Sequence, residues 1–183
     1  MPESGEIGGA GGAGQKGGTG AAWTRAAPWF GLAAVLVVLD QWSKFAILAR
    51  LALGERIELT AFFNLVLAFN TGAAFSFLAD AGGWQKIFFS VLAAIAVVVV
   101  SVLLLRNPRE PRLCAGLALI LAGALGNLID RLRLGHVVDF LDFHAFGWHW
   151  PAFNVADSAI SVGAAILILD SFLHREVKEA DSA

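Results

Sequence analysis

Between Gly126 and Ser161 an otherwise apolar chain carries acids, amides and an arginine in close succession. It reads Gly126-Asn127-Leu128-Ile129-Asp130-Arg131, then Gly135-His136-Val137-Val138-Asp139-Phe140, then Phe153-Asn154-Val155-Ala156-Asp157-Ser158. Long hydrophobic runs lie on both sides, so these carboxylates sit in or at the edge of a membrane, where ionisable groups are costly and usually functional. Two carboxylates held about 3 Å apart cannot both ionise and therefore share a proton. One can then activate water as a base while the other donates to a carbonyl oxygen, which is peptide hydrolysis without a covalent intermediate. Asp40, Asp130, Asp139, Asp142 and Asp157 are the acids available for such a pair, and spacing alone leaves Asp139 and Asp142 as alternatives. Other hydrolytic designs are poorly supplied: the chain has no Gly-x-Ser-x-Gly elbow, and its one cysteine, Cys114, falls at the opposite end of its span from these acids.

The elements that must position these groups are membrane spans. With 57% hydrophobic residues, 15% charged residues and a mean hydropathy of +0.70, the 183-residue chain is too apolar for an ordinary soluble domain of its size. Spans are expected at about 29–50, 84–105, 113–134 and 153–173, each near the twenty or so residues a bilayer requires. Asp40 and Lys44 are four apart near the end of the first span, where they can pair while the lysine snorkels to the interface. In the third span Gly116, Gly123 and Gly126 offer small surfaces for close helix packing. Asn127, Asp130 and Arg131 follow on one face, with Asp130 and Arg131 able to pair. Asn154, Asp157, Ser158 and Ser161 share a face of the fourth span. Asp170 lies on a different face near the inner end and reads as interfacial and inert.

Between the first two spans the apolar pattern alternates. Residues 56–60 and 63–69 read as short strands of a small extramembrane sheet, followed by a turn at Asn70-Thr71-Gly72. Residues 135–152 are dense in aromatic rings (Phe140, Phe143, Phe146, Trp148, Trp150) and read as an outer loop at headgroup level. Arg106, Arg109 and Arg112 crowd one loop, and Arg175 and Lys178 follow the last span. By the positive-inside rule both clusters are cytoplasmic, as are both termini, and the candidate acids face outward. Residues 1–22 are glycine- and alanine-rich without periodicity and are expected to form a disordered tail before a single membrane domain at 23–178 and a short tail at 179–183.

The net charge of −2 gives no basis for nucleic-acid binding. His144 and His149 are not spaced as helical metal ligands, and His136 and His174 lie far apart, so no metal or cofactor is expected.

Five ordered motifs, Asp40-Gln-Trp-Ser-Lys44, Asn70-Thr-Gly-Ala-Ala-Phe-Ser-Phe77, Gly126-Asn-Leu-Ile-Asp-Arg131, Val137-Val-Asp-Phe140 and Phe153-Asn-Val-Ala-Asp-Ser158, resemble lipoprotein signal peptidase, or signal peptidase II, over about residues 28–174. The resemblance implies a polytopic all-α membrane fold of four spans with a small extracytoplasmic sheet, and an aspartyl dyad of Asp139 and Asp157. It implies supporting or substrate-binding roles for Asp40, Lys44, Asn70, Gly72, Asn127, Asp130, Arg131 and Asn154, and leaves Asp142 a bystander. It also implies a substrate, a diacylglyceryl-modified bacterial prolipoprotein cleaved before its lipidated cysteine, together with membrane lipids as partners and inhibition by the cyclic peptide globomycin. Two other readings of the same acids are a small cation or proton transporter and a noncatalytic envelope assembly protein. A conduction path would need acids continuing to the inner face, where Asp170 is the only candidate.

Overall fold

The computed structural model describes residues 18–72 and 84–181. Its elements follow in the order α1 (Gly18–Leu48), β1 (Arg56–Thr60), β2 (Phe63–Asn70), α2 (Trp84–Arg106), α3 (Pro111–Arg133), β3 (Val137–Ala145), β4 (Trp148–His149) and α4 (Val155–Asp181). Four helical segments are long and apolar enough to cross a membrane: Gly20–Leu48, Trp84–Arg106, Pro111–Arg133 and Val155–Leu173. The first starts well before residue 29, and residues 18–22, expected in the tail, form its opening turns. Residues 1–17 of the expected tail, and residues 73–77 of the Asn70–Phe77 motif, lie outside the described residues.

Helix α3 is the centre of the bundle and packs against α1, α2 and α4. Its composition explains why. A β-carbon at Gly123 would collide with the Ala156 carbonyl oxygen and the Ile160 side chain, and one at Gly126 would meet Asp40 Oδ2 and Ala156 Cβ. Only hydrogen at these two positions lets α4 and the Asp40 carboxylate approach the α3 backbone. The apolar core joins Ala33 of α1, Val100 and Leu104 of α2, and Cys114, Leu117, Leu121 and Ala122 of α3. Helix α2 turns most of its surface outward, with Ile87, Phe88, Val91, Ile95 and Val98 exposed, as a lipid-facing helix with no charge between Lys86 and Arg106 should. Pro111 opens α3 at a position where a missing N–H costs nothing.

The sheet is antiparallel in the order β1-β2-β3-β4. Strands β1 and β2 fall where alternation places them, but a bulge between Leu65 and Ala68 breaks the two-residue period, so Asn64 and Leu67 are the buried residues of β2. The aromatic stretch after α3 is a pair of strands, where a loop was expected. It supplies β3 and β4, and Phe140 is buried along with Val137 and Val138, while Phe143, Phe146, Trp148 and Trp150 remain exposed. A strand rich in β-branched and aromatic residues is equally at home at an interface, and its pairing with β2 is what decides between the two.

Candidate active site

One turn of α1 begins the site. Asp40, Gln41 and Lys44 reach α3 and α4 at the same level, and Asp40 and Lys44 are only 1% and 2% exposed. The Lys44 ammonium lies 2.8 Å from Asp40 Oδ2 and 2.9 Å from Asp130 Oδ2, and donates to Asn127 Oδ1 at 3.2 Å. It does not snorkel, because two buried carboxylates hold it in the interior. Asp130 pairs with this lysine and not with Arg131. Its Oδ1 accepts from Gln41 Nε2 at 2.8 Å and its Oδ2 from the Val138 amide at 3.1 Å, which fastens α3 to β3 one residue before Asp139. Asp40 Oδ1 accepts from the Ala156 amide at 2.9 Å, an anion at the first turn of α4 where the helix leaves N–H groups unpaired. Four elements are thus tied together by one buried cluster of charges.

The second layer consists of amides, and it carries Asp139 and Asp157. Asp139 Oδ1 accepts from Asn154 Nδ2 at 2.7 Å and Oδ2 from Asn70 Nδ2 at 3.0 Å. Asp157 Oδ1 accepts from Asn127 Nδ2 at 2.7 Å. Asn154 caps α4, its Oδ1 accepting from the Asp157 amide at 2.9 Å, and its Nδ2 also reaches Asn127 Oδ1 at 3.3 Å. One fully buried asparagine therefore holds the Asp139 carboxylate, the Asp157 backbone and the Asn127 amide that in turn holds the Asp157 carboxylate. Gly72 serves Asn70 in turn. With φ of +107° its amide donates to Asn70 Oδ1 at 2.8 Å, which turns Asn70 Nδ2 toward Asp139, and Phe89 packs where a β-carbon would be.

The Asp139 carboxyl is pushed up to about 7, first by burial and second by the neighbouring Asp157 charge, against the opposing hydrogen bonds from Asn70 and Asn154 and the charge of Lys44. Asp142 behaves oppositely. Burial works against its ionisation, but hydrogen bonds from Asn64 (2.8 Å) and His149 (2.8 Å), with the charges of His149 and of Arg56 at 3.7 Å, hold it below the usual carboxylate range. It belongs to a separate cluster in the sheet and shares no hydrogen-bond partner with Asp139.

Arg131 lies over the Phe89 ring at 5.7 Å, contacts the Asn127 carbonyl at 3.5 Å, and leaves its Nε buried without a hydrogen-bond partner. Ser158 caps back onto Asn154, donating to its carbonyl at 2.9 Å, and Asp170 stands at the far end of α4 near Arg112, at 3.9 Å. Among the described residues no group of three or more His, Cys, Asp or Glu is placed to hold a metal ion.

This chain matches the signal peptidase (SPase) II family over residues 32–173. It belongs to that family. A lipoprotein signal peptidase of Paraburkholderia phytofirmans is 55% identical over 152 residues, covering 83% of this chain and 88% of the relative. One of Ralstonia nicotianae is 59% identical over 143 residues, covering 78% and 83%. A solved structure described as a bacterial membrane enzyme, determined by the in meso method at 2.3 Å, superposes with a TM-score of 0.74 at 30% identity over 83% of this chain and 92% of that one. This chain is therefore a member of a peptidase family, and its described residues include four helices long and apolar enough to cross a membrane.

Sequence reasoning missed three participants. Gln41 stands beside Asp40 inside the Asp40–Lys44 motif, and its amide is the donor Asp130 needs. Asn64 and His149 converge on Asp142 only through strand pairing, Asn64 lying opposite Asp142 in register, and no local pattern announces them.

Proposed function

We propose that this signal peptidase II family member is an aspartyl endopeptidase that removes the signal peptide from diacylglyceryl-modified prolipoproteins, cleaving before the lipidated cysteine, with Asp139 and Asp157 as its dyad. The observation that carries the reading is the pair itself: buried Asp139 and half-buried Asp157, their carboxylates joined through Asn154 and Asn127, with Asp139 retaining its proton to about 7. Near neutrality such a pair holds one proton. The ionised member takes a proton from a water lying between the carboxylates as its oxygen attacks the scissile carbonyl. The protonated member donates to the developing oxyanion to give a gem-diol; as the peptide bond breaks, the proton taken from water passes to the departing amine and one diol hydroxyl returns its proton to the dyad. Arg131, half-buried beside the amide layer, would offer its guanidinium as a donor to a substrate carbonyl. Lys44, Asp40 and Asp130 act through structure, holding Asn127 and the α4 N-terminus in place.

The membrane placement fits this substrate. Acyl chains of the lipidated cysteine would lie in the bilayer while the peptide meets the dyad at the end of the spans, and the sheet would clamp it. An apolar cavity of about 380 Å³ lined by Phe62, Phe143, Trp148, Trp150 and Phe153 opens on that sheet. The arginine cluster after α2 supports an orientation with the opposite end of the bundle in the cytoplasm and the dyad toward the outer face. Globomycin, a cyclic peptide, would occupy the dyad without being cleaved.

Asn at either position removes the acid–base group at almost constant volume. Asp139→Asn and Asp157→Asn should each abolish cleavage of a lipidated prolipoprotein in proteoliposomes while accumulating in the membrane normally, and the double variant should be no worse than either single one. Turnover by Asp157→Asn would overturn the aspartyl mechanism.

A further inference from the structure

At the other end of the bundle from the carboxylates, the opening turns of α1 and the link from α2 to α3 enclose a cavity of about 470 Å³. Its charged lining is Arg25 from α1, Arg106 at the end of α2, and Arg109 and Glu110 from the link. The three arginines are solvent-exposed, and among the described residues none of them is ion-paired, so the cavity carries an excess of two positive charges. It is remote from the candidate active site: Arg106 lies seventeen helical residues beyond Phe89, the α2 residue packed on Gly72, or about 25 Å along the axis.

Depth and surroundings narrow what such a cavity would hold. It sits where two membrane-length helices begin or end, Gly20–Leu48 and Trp84–Arg106, and hence at the level of lipid headgroups. An exposed apolar track, Val98, Val99, Val102 and Leu103, runs along α2 up to it, and Trp23, exposed and stacked on Phe30 at 5.8 Å, stands beside it in α1. A free anion would use the arginines alone. A lipid would use the arginines for its phosphate and the α2 track for its acyl chains.

We propose that this cavity is a binding site for an anionic phospholipid, the headgroup phosphate held by Arg25, Arg106 and Arg109 and the chains laid along α2. Guanidinium groups suit the task because their paired N–H donors match phosphate oxygens, and the charge makes the site select against zwitterionic lipids. Glu110, which opens α3, limits the excess charge and disfavours a headgroup carrying its own carboxylate. The site is independent of the dyad assignment, since it involves none of those residues.

The test uses the full chain in phosphatidylcholine nanodiscs, with bound lipid counted by native mass spectrometry after adding phosphatidylglycerol. Brominated phosphatidylglycerol, read by tryptophan quenching, gives a second measurement. Preferential retention of phosphatidylglycerol is expected. Each arginine near an anionic lipid is worth roughly fivefold, so the Arg25→Gln/Arg106→Gln/Arg109→Gln variant should retain it about 100-fold more weakly, with Arg50→Gln, at the opposite end of α1, unchanged. The single Arg106→Gln variant should show a partial loss, which keeps the outcome readable should the triple variant fold poorly. Equal retention of phosphatidylcholine, full retention by both variants, or retention of inorganic phosphate alone as strong as that of phosphatidylglycerol would overturn the proposal, the last by showing a free-anion site.

Discussion

Asn154 is the most informative residue to change, because it bonds the Asp139 carboxylate and the Asp157 backbone amide, and its two effects separate in the assay. In Asn154→Ala the Asp139 carboxylate loses the 2.7 Å hydrogen bond to its Oδ1 and keeps only the Asn70 contact at 3.0 Å. A hydrogen bond to a charged group contributes about 1.5–3 kcal/mol, and one pH unit corresponds to about 1.4 kcal/mol. Since the lost bond favoured the ionised form, the Asp139 value should rise from about 7 by roughly one to two pH units. The value of about 7 already includes repulsion from an ionised Asp157, so it describes the second ionisation of the pair, and activity should fall on the alkaline side as both carboxylates ionise. The variant should therefore keep its residual activity to higher pH than the parent, while its maximal rate drops because Asp139 and Asp157 are no longer held by one side chain. It also loses the α4 cap, which accepts the Asp157 amide at 2.9 Å, at a cost of about 1 kcal/mol, visible as a lower Tm in micelles. The measurement is kcat against pH on a lipidated prolipoprotein. An alkaline limb that stays in place or moves down, with only the rate reduced, would refute the coupling of Asn154 to Asp139.

Asp142→Asn should keep most of the peptidase activity yet lower the Tm, corresponding to about 1–2 kcal/mol at pH 7, because it weakens the clasp to His149 and Arg56. Since the native state holds this carboxyl below its ordinary value, its stabilisation is present above about pH 4 and is lost as pH falls through the native value. The Tm gap between parent and variant should close in acid, and a gap that widened there would contradict the assignment. Lys44→Met should destabilise the fold by about 3–5 kcal/mol by leaving Asp40 and Asp130 buried without their shared cation, seen as loss of protein from the membrane or early thermal unfolding; normal stability would show that the pair is not the brace described here. In a Cys114→Ala background, a cysteine at Ala145 should react with an impermeant reagent in intact spheroplasts and one at Asn107 should not, and the reverse pattern would place the dyad on the cytoplasmic side.

Much of this molecule is local and therefore legible in the chain. Four apolar runs of membrane length, the two short alternating strands and the small residues of the third helix follow from periodicity and composition, because each is a property of neighbouring residues. The candidate acids and amides stand out for the same reason: they interrupt apolar sequence. Partner choice was not legible. Asp130 was free to pair with Arg131, its chain neighbour, yet it takes Lys44 from another helix, because burial leaves that ammonium nowhere else to go. Residues 137–149 read from the sequence as an outer loop, because aromatic density fits a loop as well as a strand until β2, some seventy residues earlier, supplies the pairing. That pairing also separates the two acids that spacing alone could not. Asp139 and Asp142 are three apart, and successive side chains of a strand alternate in direction, so once the segment is extended the two must face opposite ways. One meets Asn154 and the helices, and the other meets Asn64 and His149 in the sheet.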